Sequence, residues 1–308
     1  MQDHNRATEK MSLEAVSKLL DAARAGRPRS MAIWGASRGG RNLARALAER
    51  GVQVTLVDRR LGAVEEMLHE IARRLEQRVE QGLIDTAAQG EVLGRIRIGA
   101  GTDRVRGHDL VIEAGPTDRA ARIEGLRVLD RSVEAGTPIA SIVSGVHGYD
   151  LTDYAPDPTR VVPIHLVLTD WQVSVVEVIG AAGVARDAID RTVLALGAAG
   201  LTVVEAPGAP GFLVDRLALA LICEALRILD RGEADIESID RAIRLHTVHE
   251  VGPLQLADLL GLDYLYELSS ALATATGDTR YAPTALLRAY VENGFLGVKS
   301  GRGFYVYP

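Results

Sequence analysis

Ser144, His165 and Glu177 offer a hydroxyl, an imidazole and a carboxylate, with 21 positions from the first to the second and 12 from the second to the third. Imidazole ordinarily titrates near neutrality, so it can take and return a proton, and a carboxylate partner fixes its tautomer and favours its charged form. A hydroxyl can hold the oxygen that gains or loses that proton. Downstream of a dinucleotide site, this set suits hydride transfer between an alcohol and a nicotinamide. Taken singly, each residue has a plainer reading: His165 as a packed residue in an apolar run, Ser144 as a turn serine before Gly145, Glu177 as a strand carboxylate. The spacing of all three behind a nucleotide-binding pattern favours chemistry.

That pattern starts at Met31-Ala32-Ile33-Trp34, a short apolar run that ends in Gly35-Ala36-Ser37-Arg38-Gly39-Gly40. A predicted helix to about Arg50 and an alternating strand, Val52 to Val57, follow, and Asp58 stands 18 residues after Gly40. A strand that turns through glycines into a helix brings backbone N–H groups to a pyrophosphate, and an acid ending the next strand can bind ribose hydroxyls. Gly35 and Gly40 take the first and third glycine positions and Ser37 the middle one, giving G-x-S-x-x-G with a side chain where phosphate approaches most closely. Gly35, Ala36, Ser37, Arg38, Gly39, Gly40 and Asp58 are therefore the expected cofactor loop. Asp58 repels a 2′-phosphate and favours NAD, while Arg59 and Arg60 directly after it leave NADP open.

The elements that must position these groups alternate. A long charged helix is predicted from about Ala63 to Gln81, strands at Ile96 to Ile98, Leu110 to Glu113 and Ile139 to Val143, and a helix from Arg119 to Ala135. This alternation predicts an α/β fold, a doubly wound parallel sheet with helices on both faces. After Gly208-Ala209-Pro210-Gly211 the periodicity is helical throughout: Phe212 to Leu229, Ile236 to Leu245, Leu254 to Leu260, Tyr264 to Ala275 and Ala285 to Glu292. Three parts are expected: an extension over residues 1–29 with one amphipathic helix, a Rossmann-type domain over 30–207, and an all-α domain over 208–308.

Composition narrows the function. The 308 residues are 47% hydrophobic and 25% charged, suited to two ordinary cores. A net charge of -6 without an isolated basic block argues against nucleic acid. Cys223 is the sole cysteine, which excludes an internal disulfide and a cysteine-clustered zinc site, and it reads as a small apolar residue in a buried helix. His246, His249 and Glu250 lack the helical H-E-x-x-H spacing, so no metal site is expected, and His147 receives no role. No run reaches the roughly 18 apolar residues of a membrane helix, and Glu9, Glu14 and Asp21 interrupt the start. A soluble, cytoplasmic protein is expected.

Three later segments carry a family resemblance. They are Pro210-Gly211-Phe212-Leu213-Val214-Asp215-Arg216, the stretch Gly252-Pro253-Leu254-Gln255-Leu256-Ala257-Asp258-Leu259-Leu260-Gly261-Leu262-Asp263, and the ending Lys299-Ser300-Gly301-Arg302-Gly303-Phe304-Tyr305. Together they resemble the C-terminal domain of L-3-hydroxyacyl-CoA dehydrogenases, a family that includes 3-hydroxybutyryl-CoA dehydrogenase. The likeness runs from about residue 30 to 308, with its motifs in order and register. It implies a Rossmann domain joined to a helical dimerisation domain, hence a homodimer, with the active site in the cleft between them. It also implies Ser144 on the substrate oxygen and against the cofactor, His165 as general base, and Glu177 as the carboxylate that orients it. By the same match Arg122 stands where the family has a cofactor-binding lysine, and Lys299 where another lysine reaches the cofactor.

The departures from the family pattern concern the substrate. The family's asparagine after Gly-Phe-x-Val is Asp215, which puts a carboxylate beside the reacting centre. Its H-F-F-N-P has become His165-Leu166-Val167-Leu168-Thr169, and its S-N-T-S-S is Ser141-Ile142-Val143-Ser144-Gly145. On the long helix the serine and lysine that touch coenzyme A align with Arg74 and Gln81. The expectation is an NAD-dependent dehydrogenase or ketoreductase of specialised metabolism, acting on a 3-hydroxyacyl thioester of CoA or a carrier protein, or on a free β-hydroxy acid. Ser37 and Asp215 also motivate a non-redox alternative, the dehydration or cyclisation of a β-keto thioester. A non-catalytic nucleotide- or acyl-binding homologue is the third reading, against which the retention of Ser144, His165 and Glu177 argues. Tyr264, Tyr266, Phe304, Tyr305 and Tyr307 are expected to pack a helical core or a dimer interface.

Overall fold

A computed structural model describes residues 30–115, 118–144, 151–169, 172–246 and 250–307. The expected extension over 1–29, with His147 and His249, lies outside the described residues. The described residues divide into two compact units, residues 30–143 with 151–206 and residue 144 with 207–307.

The first unit is built on one eight-stranded sheet of order β3-β2-β1-β4-β5-β6-β7-β8. Its strands are β1 (Ser30–Trp34), β2 (Gln53–Asp58), β3 (Ile96–Ala100), β4 (Leu110–Glu113), β5 (Ile139–Val143), β6 (Val161–Thr169), β7 (Gln172–Gly180) and β8 (Val203–Pro207). Strands β1 to β6 pair in parallel, and β4 reads as an unbroken apolar run closed by Glu113 because it is buried on both faces. The helices are α1 (Arg38–Glu49), α2 (Leu61–Glu80), α3 (Thr86–Gly94), α4 (Arg119–Ser132) and α5 (Arg186–Ala198). Along β1, Met31 and Ile33 join Leu43 and Leu47 of α1 and Met67, Ile71 and Leu75 of α2 in one core. Trp34 alternates to the other face, where a Cβ on Gly125 of α4 would stand 3.9 Å from its indole nitrogen.

The five strands predicted from the sequence pair in parallel as expected, and beyond them the sheet becomes mixed. Strand β7 runs antiparallel to β6, in the register Ile164 to Val178, His165 to Glu177 and Leu166 to Val176. Val161 to Leu168 is apolar apart from His165, so it shows no alternation from which a hairpin could be read, whereas helices α3 and α5 simply go unpredicted.

The second unit holds α6 (Val214–Asp230), α7 (Ile236–His246), α8 (Pro253–Leu260), α9 (Leu262–Thr276) and α10 (Ala285–Glu292). Its core gathers Leu219, Ile222 and Leu226 of α6 with Leu254, Leu265, Leu268, Leu272 and Phe304. Tyr264, Tyr266 and Tyr305 pack against that core, and Phe304 stacks on Tyr290 at 4.6 Å between ring centroids. Two buried aspartates tie the unit together. Asp240 accepts the N–H groups of Leu254 and Gln255 at the start of α8, and the phenol of Tyr305. Asp258 accepts the N–H groups of Phe304 and Tyr305 and the phenol of Tyr307. Hydrogen bonds to a charged group are each worth about 1.5–3 kcal/mol, and a buried carboxylate needs several of them to persist. Gly303 exists for this contact, since any Cβ there would overlap the Asp258 carboxylate.

Candidate active site

The antiparallel register sets His165 directly opposite Glu177, on strands whose side chains at that level point into the protein. Nδ1 of His165 lies 2.7 Å from Oε2 of Glu177. The histidine is 7% exposed and the glutamate fully buried, so the contact is shielded from water. An ionised carboxylate can only accept, so in this pairing it selects the tautomer with the proton on Nδ1. Ser144 follows the last residue of β5, and Val143, one position earlier, pairs with His165 across the β5–β6 ladder.

The expected cofactor loop has the geometry that a dinucleotide needs. Gly35 leaves β1 with φ of +102°, a conformation L side chains avoid, and a Cβ there would stand 2.6 Å from the Ala114 carbonyl. Gly40 is constrained too, because its Cβ would approach that of Ala114 to 2.7 Å. Ser37 is the N-cap of α1, and its Oγ accepts the N–H of Gly40 at 3.2 Å. Its hydroxyl is thus turned onto the helix, where it takes up a donor that a phosphate could otherwise use. Ala36, Ser37 and Arg38 line a groove of about 480 Å³ with Arg41, Arg60 and Arg73. Asp58 ends β2, and one of its oxygens accepts the Arg60 N–H at 2.9 Å. Arg59 turns instead to Glu124, 3.8 Å away in an exposed pair. Glycines that admit no side chain, a helix N-terminus and a strand-end acid together fit NAD.

Arg122 lies on α4 and is 5% exposed. Its Nη2 donates to the carbonyl of Ile142 at 3.1 Å, and its Nε stands 3.7 Å from Oε2 of Glu113 without a hydrogen-bond acceptor. Glu113 is the site residue that sequence reasoning missed, and with it Ser141. Burial pushes the Glu113 carboxyl up, against the pull of Arg122, Ser141 and the Gly115 N–H. The available signal was a charge closing an otherwise apolar strand.

The remaining expected residues fall in two further places. Arg74 and Gln81 share a groove of about 280 Å³ with Arg41, Arg45, Arg78 and Gln172. Glu70 accepts from Arg73 and Arg74, and chiefly the Arg73 hydrogen bond holds its carboxyl down at about 2. In the helical unit, Asp215 sits in the first turn of α6 and Tyr264 donates its phenolic proton to it. Lys299 is ion-paired with Asp263, next to Tyr264. Cys223 is buried beside Ser269. Among the described residues, no group of three His, Cys, Asp or Glu side chains could hold a metal ion, and no helix is long and apolar enough to cross a membrane.

Comparison with known proteins agrees along the chain. Residues 30–208 match the model of the 3-hydroxyacyl-CoA dehydrogenase NAD-binding domain, and residues 211–307 match that of the C-terminal domain. A probable 3-hydroxybutyryl-CoA dehydrogenase of Bacillus subtilis is 35% identical over 276 residues, covering 89% of this chain and 96% of that one. The crystal structure of an (S)-3-hydroxybutyryl-CoA dehydrogenase from Ralstonia eutropha superposes with a TM-score of 0.82 at 30% identity, covering 91% of this chain and 99% of its own. A diketoreductase described as acting on dicarbonyl compounds superposes with a TM-score of 0.75 at 25% identity, covering 92% of this chain and all of that one. The chain therefore belongs to the 3-hydroxyacyl-CoA dehydrogenase family and is an NAD-dependent oxidoreductase.

Proposed function

We propose that the protein interconverts the 3-hydroxy and 3-keto forms of an acyl thioester or a related β-hydroxy acid, with His165 as the acid–base group. The buried His165–Glu177 pair carries this reading. When bound, NAD supplies the hydride acceptor. Nε2 of His165 takes the proton of the substrate hydroxyl in oxidation and returns it in reduction, while Glu177 stabilises the imidazolium that forms. Ser144 holds the substrate oxygen. The residues of the glycine loop with Asp58 hold the cofactor, joined in this proposal by Ser144, Arg122 and Lys299.

Asp215, Arg74 and Gln81 make the substrate differ from that of the family pattern. The arginines around Arg74 support an anionic carrier group, of CoA or of a carrier protein. Asp215 supports an acyl group with a hydrogen-bond donor or a positive charge near carbon 3, and a place in specialised metabolism. The proposal includes a cytoplasmic homodimer formed through the helical unit, supported by the exposed Leu217, Leu245, Leu259 and Leu260. Incubating the purified protein with NAD and a panel of 3-hydroxyacyl thioesters and free β-hydroxy acids, and following nicotinamide absorbance, tests the activity. Turnover that requires NAD is expected, and dinucleotide binding without turnover of any substrate would overturn the reading.

A further inference from the structure

The β4–β5 ladder stops one step before the residues that matter. Its last pair is Glu113 with Ser141, whereas the β5–β6 ladder runs on through Ile142 and Ile164 to Val143 and His165. Beyond Ser141, β5 therefore has a strand partner in β6 but none in β4. Side chains take over at that point. Ser141 donates its hydroxyl proton to Oε2 of Glu113 at 2.5 Å, and Arg122 donates from Nη2 to the Ile142 carbonyl at 3.1 Å.

The other oxygen of the same carboxylate reaches in the opposite direction. Oε1 of Glu113 accepts the N–H of Gly115 at 2.7 Å. The Ala114–Gly115 turn held in this way is the backbone against which Gly35 packs, and Ala114 accepts the Ser37 N–H at 3.2 Å. One buried carboxylate thus joins the turn behind the cofactor loop to the strand end that leads to Ser144.

A charge pair this deep is a poor device for stability alone. Glu113 is 1% and Arg122 5% exposed, and apolar side chains of similar volume usually replace such a pair without loss. The pair is also not arranged for greatest strength. Arg122 presents no two-pronged fork to Glu113, and its buried Nε lacks an acceptor while Nη2 is spent on the strand.

We propose that Glu113, Arg122 and Ser141 form a clamp of positioning residues on the carboxyl end of β5, which sets how fast the chemical step runs by fixing Ser144 and the strand position opposite His165. The clamp rests on the dehydrogenase reading above, since it acts only through residues that reading makes reactive. Displacing reacting groups by about 1 Å can cost up to about 10²-fold in rate.

The test uses the full-length enzyme with NAD and whichever substrate the panel identifies. Glu113→Gln keeps an oxygen for Ser141 but removes the charge, and Ser141→Ala removes one hydroxyl. Both should lower the single-turnover rate of NADH formation about tenfold or more while KM for NAD and for substrate stays within about twofold. Variants that melt earlier but form NADH at the wild-type rate per folded site would overturn the clamp and leave the dehydrogenase reading standing. If Glu113→Gln does not fold, an unchanged rate in Ser141→Ala overturns the clamp by itself. A wild-type enzyme that forms no NADH from any substrate overturns the reading and the clamp with it.

Discussion

The phenol of Tyr264 donates to Oδ2 of Asp215 at 2.6 Å, joining the first turns of α6 and α9. Asp215→Asn should recover activity on short-chain 3-hydroxyacyl-CoA substrates, on which the unmodified protein should be slow. Tyr264→Phe should lower the specificity for the preferred substrate, and a double-mutant cycle should give a coupling on the order of 1 kcal/mol. Efficient wild-type oxidation of 3-hydroxybutyryl-CoA that Asp215→Asn leaves unimproved would remove the aspartate from substrate choice.

His165→Ala should reduce turnover by about 10²- to 10⁴-fold with NADH affinity nearly unchanged. Glu177→Gln keeps the shape of the pair but loses the charge that supports the imidazolium, so turnover should also fall. Stopped-flow absorbance together with a fluorescence titration of NADH separates the two quantities. Near-wild-type turnover in His165→Ala would exclude this histidine as the base.

Ser37 caps α1 and also borders the loop assigned to the pyrophosphate. Replacing a capping serine by glycine costs only a few tenths of a kcal/mol. Ser37→Gly should therefore melt close to wild type while NADH binding, measured by calorimetry, is preserved or tightened as the Gly40 N–H is released. Failure of both forms to bind NADH would end the assignment of this loop.

Burial and hydrogen bonds to Asp240 and Asp258 push the phenols of Tyr305 and Tyr307 well above their ordinary value of 10. A folded state that holds these protons more tightly than the unfolded chain has their full contribution below pH 10 and loses it as pH rises through the folded values. The melting temperature should accordingly fall on going from pH 9 to pH 11. The Tyr305→Phe, Tyr307→Phe double variant should start lower and depend less on pH, as circular dichroism melts would record. Equal pH slopes in the two proteins would show that other groups govern alkaline stability.

The parts of this molecule legible in the sequence are those that depend on local pattern. The run from Met31 through the glycines to Asp58 fixes a strand, a turn and a helix within a few residues of each other, and the 12-residue spacing of His165 and Glu177 anticipates the pair that the β6–β7 register brings together. Glu113 and Ser141 stayed hidden because they lie on different strands and meet each other and Arg122 only when β4, β5 and α4 close around them. The Ser37 cap was hidden for a different reason. A serine inside a glycine motif reads as an obstacle to phosphate until its hydroxyl is seen to turn back onto Gly40. Tyr264 reads from the sequence as a packing residue, but its bond to Asp215 does not, since that partner is 49 positions away.

The bonds that Asp258 accepts from Phe304, Tyr305 and Tyr307 also bear on the order of events at the ribosome. Every strand and helix of the sheet-bearing unit is synthesised before residue 208, so that unit can form while translation continues. The helical unit lacks part of its closure until Tyr307 has left the exit tunnel, because Asp258 takes its donors from Phe304, Tyr305 and Tyr307 and Phe304 belongs to the core. Helices α6 to α10 precede these donors in the chain, so their apolar faces are less covered until Phe304, Tyr305 and Tyr307 have joined them. Ribosome-bound chains stalled before Tyr307 emerges should be cut readily within α6 to α10, and chains stalled after it has cleared the tunnel should resist.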